Sequence, residues 1–216
     1  MGIAERAQHI NEVLADEYPD AHCELNFTNA LELTVATLLS AQTTDVRVNQ
    51  VTPELFAAYP TVMDYATANE QDIQEIIRTL GLAPSKAKRL VGVGQKLVGD
   101  FNGEVPTSIE DLSSLPGVGR KTALVVRGNA FGLPGLAVDT HVKRVSSRLG
   151  LAHGTTELKI EKELCALLPE KEWTMFSHRL IFHGRRCCTA KKPACGACPV
   201  RKDCPFPAGM VESYTD

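Results

Sequence analysis

Leu115-Pro116-Gly117-Val118-Gly119-Arg120-Lys121-Thr122 joins two helical patterns: a short turn of helix carrying Ile109 and Leu112 after Ser108, and a helix over 120–131. Pro116 fixes φ, and Gly117 and Gly119 are expected to supply conformations or close approaches that a Cβ would block. A helix starts directly afterwards. Its unpaired N–H groups and positive dipole end then face outward beside Arg120 and Lys121, and phosphate is the natural occupant of such an anion site. The plainer alternative is a tight interhelical turn whose glycines only permit packing; two bases at the helix start favour phosphate. A helix N-terminus and a neighbouring guanidinium both disfavour an ammonium, which is how a lysine is prepared for Schiff-base chemistry. On local sequence alone, Lys121 reads more simply as a phosphate contact.

Working outward, the apolar spacing stays helical nearly everywhere. Ile3, Ala7, Ile10, Leu14 and Tyr18 make one stripe, closed by Pro19. Leu31, Val35, Leu38 and Leu39 make a second, with Thr28 or Asn29 as cap. Asn69 is placed to cap a helix carrying Ile73, Ile76, Ile77 and Leu80, with Gly81 as its stop. Ala87, Leu90, Val91, Leu97, Val98 and Phe101 follow, interrupted by Gly92 and Gly94. Residues 140–149, 157–168 and 173–185 also read as helix, and no window alternates like a strand. The chain is expected to be all-α.

Downstream, Val138-Asp139-Thr140-His141-Val142 opens one of these helices, and Asp139 is suited to be its N-cap. Asp139 is also the sole acid of residues 113–153, which hold Arg120, Lys121, Arg127, Lys143, Arg144 and Arg148, a local charge of +5. Residues 178–202 carry seven bases and no acid, whereas residues 1–32 carry seven acids against Arg6. The net charge of −3 therefore hides a polarity expected of a chain that presents a basic face to a polyanion.

Four of the seven cysteines, Cys188, Cys195, Cys198 and Cys204, are spaced C-x6-C-x2-C-x5-C. Four thiolates in one compact loop suit an iron–sulfur cluster or a tetrahedral zinc. Only Cys195 and Cys198 form the close pair that zinc sites usually have twice, which favours the cluster. Cys187 is surplus, and Cys23 and Cys165 lie in apolar surroundings. With 216 residues, 44% apolar and 23% charged, the chain is long enough for a real core and is neither disordered nor fibrous in composition. No stretch approaches 18 uninterrupted apolar residues, and the start has neither a signal core nor a myristoylation pattern, so a cytoplasmic protein is expected.

Leu39-Ser40-Ala41-Gln42 with Thr44-Asp45, Leu115 to Lys121, Val138 to His141, His183-Gly184-Arg185 and the cysteine spacing together resemble the endonuclease III family. These are the bifunctional DNA glycosylases and AP lyases of the helix-hairpin-helix superfamily, and the match runs over nearly the whole chain. The resemblance implies a six-helix barrel over residues 23–133 and a second helical domain joining 1–22 to 134–216, with double-stranded DNA bound across the cleft between them. It implies that Cys188, Cys195, Cys198 and Cys204 hold a [4Fe–4S] cluster in the second domain. It makes Lys121 the nucleophile, and Asp139 both cap and catalytic carboxylate. Gln42 and Leu82 match residues that enter the duplex when the damaged nucleotide leaves. Lys192, with Lys191 beside it, matches a basic loop residue that contacts phosphate. Gly117, Gly119, Arg120 and His141 are further expected DNA contacts, and Asp45 and His141 expected neighbours of the base pocket.

The implied reaction is base excision repair. The target base is flipped out of the stack, the Lys121 amine attacks C1′ and expels it, and β-elimination from the Schiff base breaks the strand. The implied substrates are oxidised or ring-saturated pyrimidines, thymine glycol among them, and abasic sites; the implied state is a monomer, at the nucleoid if the cell is bacterial. Leu124 departs from the family pattern, which has asparagine there, and bears on base preference. The related adenine glycosylase lacks the hairpin lysine and carries a further C-terminal domain, whereas this chain has Lys121 and stops soon after Cys204. A non-catalytic DNA-binding module with a structural zinc would be colourless, and a cluster protein yellow-brown.

Overall fold

The structure, a computed structural model, describes residues 2–206; Met1 and residues 207–216, the ends of the domain expected over 1–22 and 134–216, lie outside the described residues. Every regular element among the described residues is helical. The α-helices are α1 (Ile3–Glu17), α2 (Ala30–Leu39), α3 (Asp45–Ala58), α4 (Val62–Thr67), α5 (Glu70–Ile76), α6 (Ala83–Phe101), α7 (Ile109–Ser114), α8 (Arg120–Phe131), α9 (Thr140–Arg148), α10 (Glu157–Cys165) and α11 (Trp173–Arg186). Single 3-10 turns occur at Glu170–Glu172, Cys195–Ala197 and Arg201–Asp203. None of the described helices is long and apolar enough to cross a membrane. The chain divides into two compact units: Cys23–Leu133, and Met1–His22 with Pro134–Asp216.

The unit Cys23–Leu133 contains α2 to α8 around one core, which includes Leu33, Leu39, Leu55, Tyr65, Ile73, Leu90, Leu97 and Leu112. Side-chain caps fix where its helices begin. Asn29 accepts from Glu32 N at 2.9 Å, while the Glu32 carboxylate accepts from both the N–H and the hydroxyl of Thr28. Asn69 caps α5 and Ser108 caps α7. Helix α6 runs unbroken through Gly92 and Gly94. At Gly94 a Cβ would come within 2.4 Å of Ala66 N, so this glycine permits the backbones of α6 and α4 to touch rather than breaking the helix.

Helices α3 and α4 were not expected from the sequence. Helix α3 contains Pro53 and buries only Val48, Thr52 and Leu55, so its apolar stripe is thin and carries a breaker. Helix α4 has six residues and starts with a reciprocal cap between Thr61 and Asp64.

The second unit packs α11 against α9 and α1. Ile10, Leu14, Leu136, Val142, Val145, Ile160, Leu164, Phe176 and Leu180 are among its core residues. Arg6 on α1 donates to the carbonyls of Leu149, Gly150 and Asp203, so a distant terminus closes over the end of α9. Cys23 and Cys165 are partly buried and pack against the cores of their respective units, the apolar surroundings expected of them.

Candidate functional site

The hairpin before α8 is built by two conformational locks. Leu115 and Val118 are buried, and Val118 N donates to Leu115 O at 3.0 Å. Gly117 has φ +81, which favours glycine, and a Cβ there would also sit 2.7 Å from Arg89 Cδ, so that side chain would have to move. Gly119 is different from its expectation. It is the N-cap of α8 in extended geometry, φ −91 and ψ 174, and a Cβ would meet no atom within 4 Å. Its effect is to leave the first turn of α8 uncovered: no side chain caps it, and its N–H groups carry the positive end of the helix. Arg120 and Lys121 occupy the first two helical positions and are exposed. Leu124, three residues beyond Lys121 and so on the neighbouring surface of the helix, is buried.

Gln42 and Leu82 share a property that no local sequence signal announces. Both are non-glycine residues in the left-handed region, φ 55 and φ 63, at an expected cost of about 1–3 kcal/mol each. Gln42 occupies the third position of a turn closed by Thr43 N donating to Ser40 O at 3.0 Å. Leu82 precedes α6 and is 54% exposed, unusual for a large apolar side chain in a strained turn. Asp45 opens α3, where its carboxylate suits the positive helix end; it is half-buried and helps to raise the Cys23 thiol, whose shift is chiefly due to burial.

In the second unit Asp139 is the N-cap of α9, with Oδ1 accepting from Val142 N at 2.7 Å. The chain leading to it is pinned from α11, where Thr174 donates to Gly135 O and Ser177 to Ala137 O. His178, which the sequence reading did not single out, is buried on the same helix. Burial, reinforced by His22 and opposed by Asp139, pushes its imidazole down to about 4, so it is neutral at pH 7. His141 is half-buried, and its Nδ1 lies 3.2 Å from Arg144 Nη2. The same guanidinium donates to Gly184 O and Cys188 O, so His141 has a structural partner within its own unit.

Several bases summed in the charge polarity are thus occupied inside the fold. Arg144 and Arg148 hold backbone carbonyls, Arg179 pairs with Glu172 at 3.3 Å, and Arg186 pairs with Asp20 at 2.7 Å. Arg120, Lys121, Lys191, Lys192 and Lys202 are exposed.

A pocket in the same unit is lined by Cys187, Cys188, Cys195, Cys198 and Cys204, with Arg148, His183 and Phe206. Arg148 organises its wall. Its Nη1 lies 3.4 Å from Cys188 Sγ and donates to Thr189 O, its Nη2 donates to Ala190 O, and its own carbonyl accepts from Cys204 Sγ. Its Nε is buried with no hydrogen-bond partner in the fold. Burial raises the thiols of Cys198 and Cys204, the energetic demand that a bound metal cation reverses. A sulfur-rich, half-buried donor set beside an unsatisfied N–H fits an iron–sulfur cluster. Cys187, read as surplus, also faces this pocket: its Sγ lies with those of Cys198 and a His183 nitrogen within 4.8 Å of one another. His183 is held by Tyr18 OH at 3.0 Å, and burial pushes it down to about 4.

Comparison with known proteins covers both units. Residues 35–170 match the model of the HhH-GPD superfamily base excision DNA repair proteins, and residues 188–204 match the iron-sulfur binding domain of endonuclease III. The second match begins at Cys188 and ends at Cys204, the outer cysteines of the spacing. Endonuclease III of Synechocystis is 48% identical over 93% of this chain and 92% of its own length. That of Bacillus subtilis is 45% identical over 88% of each chain. A trapped covalent endonuclease III–DNA intermediate has the same fold, with TM-score 0.88, 43% identity, and coverage of 95% of this chain and 97% of the other. The cluster-domain match and the thiol-lined pocket agree on a [4Fe–4S] cluster as the resident group. The chain belongs to the endonuclease III family of HhH-GPD base excision repair proteins, DNA glycosylases with AP lyase activity.

Proposed function

We propose that this protein excises oxidised or ring-saturated pyrimidines from duplex DNA and cleaves the resulting abasic site, with Lys121 as nucleophile and Asp139 as the carboxylate that serves it. The observation that carries this reading is Lys121 itself, an exposed amine on an uncapped helix start, preceded by a hairpin built around Gly117. The first-turn N–H groups of α8, left uncovered at Gly119, and the Arg120 guanidinium hold phosphate. Gln42 and Leu82 fill the gap left by the flipped nucleotide, at the unpairing cost of a few kcal/mol. Asp139 assists deprotonation of Lys121 and stabilises the positive charge that develops on the sugar. The amine bonds to C1′ and loses a proton as the base leaves with its electron pair; the C1′–O4′ bond then breaks, O4′ takes a proton, and the opened sugar is held as a Schiff base, from which loss of a C2′ proton expels the 3′ phosphate. Asp45 and His141 border the base pocket, and Leu124 in place of asparagine shifts base preference. The protein acts as a monomer in the cytoplasm, where its DNA lies. Borohydride trapping on thymine-glycol duplex tests this reading: a covalent adduct is expected, and its absence with active binding would refute the lyase chemistry.

The unit 23–133 acts as the six-helix barrel of the family and the other unit as its cluster domain. We assign Cys188, Cys195, Cys198 and Cys204 as the ligands. When bound, the cluster supplies iron–thiolate bonds that order the loop from 188 to 204. Cys188→Ser is expected to lose iron and to yield unstable protein, whereas Cys187→Ser keeps its iron. Iron per protein, measured on both variants, checks this; equal contents would mean that the neighbouring thiol is the wrong one.

Lys191 and Lys192 lie exposed on that loop, and Thr189 Oγ1 donates to Lys192 O at 2.8 Å, closing it locally. An anchored lysine adds affinity through phosphate but no base information. Lys192→Glu is therefore expected to lower the salt slope of DNA binding by about 0.9, with the loss greatest at low salt. Its single-turnover rate at saturating enzyme should match wild type. Titration of abasic-analogue DNA over a salt series decides: an unchanged slope removes Lys192 from the interface.

A further inference from the structure

The side chain of Lys86 is buried, 2% exposed, inside the unit Cys23–Leu133. Its Nζ donates to Thr43 Oγ1 at 2.8 Å, a neutral hydroxyl. Burial and the nearby Arg89 guanidinium both lower its pKa. An ammonium in such a place is costly, and a methionine of similar length would fill the space without that cost. What the ammonium does is visible in what it joins. Thr43 directly follows Gln42, and its N–H closes the turn in which Gln42 is left-handed. Lys86 stands one helical turn after Leu82, and its N–H donates to Leu82 O at 2.9 Å. One buried residue therefore touches the turn of left-handed Gln42 through its ammonium and that of left-handed Leu82 through its backbone, although the two are 40 residues apart in sequence.

We propose that Lys86 is a positioning residue that ties the Gln42 turn to the Leu82 turn, so that the two side chains enter the duplex as one unit. The inference rests on the proposed role of Gln42 and Leu82 in opening DNA. Without the Nζ–Oγ1 bond, the Gln42 turn is free to shift relative to α6. A displacement of about 1 Å is enough to cost on the order of 100-fold in rate where geometry is shared between groups.

The test uses full-length protein and two DNAs carrying thymine glycol, one fully paired and one with the lesion in an unpaired bulge that is already open. Lys86→Met removes the donor and Thr43→Val removes the acceptor at nearly constant shape. Each is expected to slow single-turnover excision from the paired duplex by about 10- to 100-fold, while the bulged lesion is cut within about twofold of wild type. Thr43→Val also removes the longer contact of 3.4 Å from Thr43 Oγ1 to Ala41 O, so the double variant should be no slower than Thr43→Val alone, where Lys86→Met has no further bond to break. Thr43→Ser, which keeps the hydroxyl, should restore the paired-duplex rate. The melting temperature of Lys86→Met should be at or above that of wild type, because a buried charge has been removed. Unchanged rates on paired DNA, or equal losses on paired and bulged DNA, would overturn the proposal; so would independent, multiplicative losses in the double variant. If Lys86→Met does not fold, Thr43→Val against Thr43→Ser carries the same decision. Wild-type protein inert on both DNAs would instead refute the excision reading beneath it.

Discussion

Lys121→Gln is expected to reduce strand cleavage to background and to leave no borohydride-trapped adduct. Glutamine approximates the length and polarity of lysine, but its amide nitrogen is not a nucleophile and cannot form an imine. Binding to abasic-analogue DNA should survive. Loss of one cationic contact at about 0.1 M salt costs roughly tenfold in affinity, because each phosphate contact contributes about 0.9 to the salt exponent. Helix α8 should also persist, since its start is set by Gly117 and by the backbone bond from Ala123 N to Gly119 O rather than by Lys121. The informative result is the split between binding and chemistry. A trapped adduct on the glutamine variant would transfer the nucleophile to another amine.

Asp139→Asn is expected to lower excision by about 10²- to 10⁴-fold, the range of a general base or a charge-stabilising group. The substitution is selective because asparagine caps a helix as well as aspartate does. Its side-chain oxygen can still accept from Val142 N, so α9 and its apolar contacts through Val142 and Val145 should remain. Thermal melting should therefore move little while single-turnover excision collapses. A variant with near-normal turnover would reduce Asp139 to a cap. A variant that melts well below wild type would instead show that the carboxylate's charge holds the fold beside the neutral, buried His178.

Much of the helical architecture is local and hence legible without a structure. Asn29, Asn69, Ser108 and Asp139 each precede an apolar stripe, and each accepts a backbone N–H in the fold. Gly117 was legible for the same reason: a tight turn before a helix needs a residue without a Cβ. Cysteine spacing likewise announced a metal centre, because ligands crowded into one loop need little tertiary help to meet. Helix α3 shows where this kind of inference fails. Its three buried residues and internal proline make a poor autonomous helix, and its packing in the unit around Leu55 outweighs that propensity.

The remaining features depend on contacts between residues far apart in sequence. Gly94 looked like a helix interruption until the backbone at Tyr65 and Ala66 supplied the reason for a missing Cβ. Arg148 and Arg144 counted as surface charge until the carbonyls around Cys188 claimed them. Lys86 carries no signal in the sequence, and only the folded unit buries it and brings Thr43 within bonding distance. Gln42 and Leu82 are left-handed without being glycines, so composition does not mark them; their strain is held by surrounding structure. By itself, then, the sequence determined the helices, their caps, the hairpin and the metal-ligand spacing, since those interactions span a few residues. Only the tertiary structure decided which charges are buried, which glycines serve packing and which turns are strained, since each of these depends on a neighbour that the chain brings back from dozens of residues away.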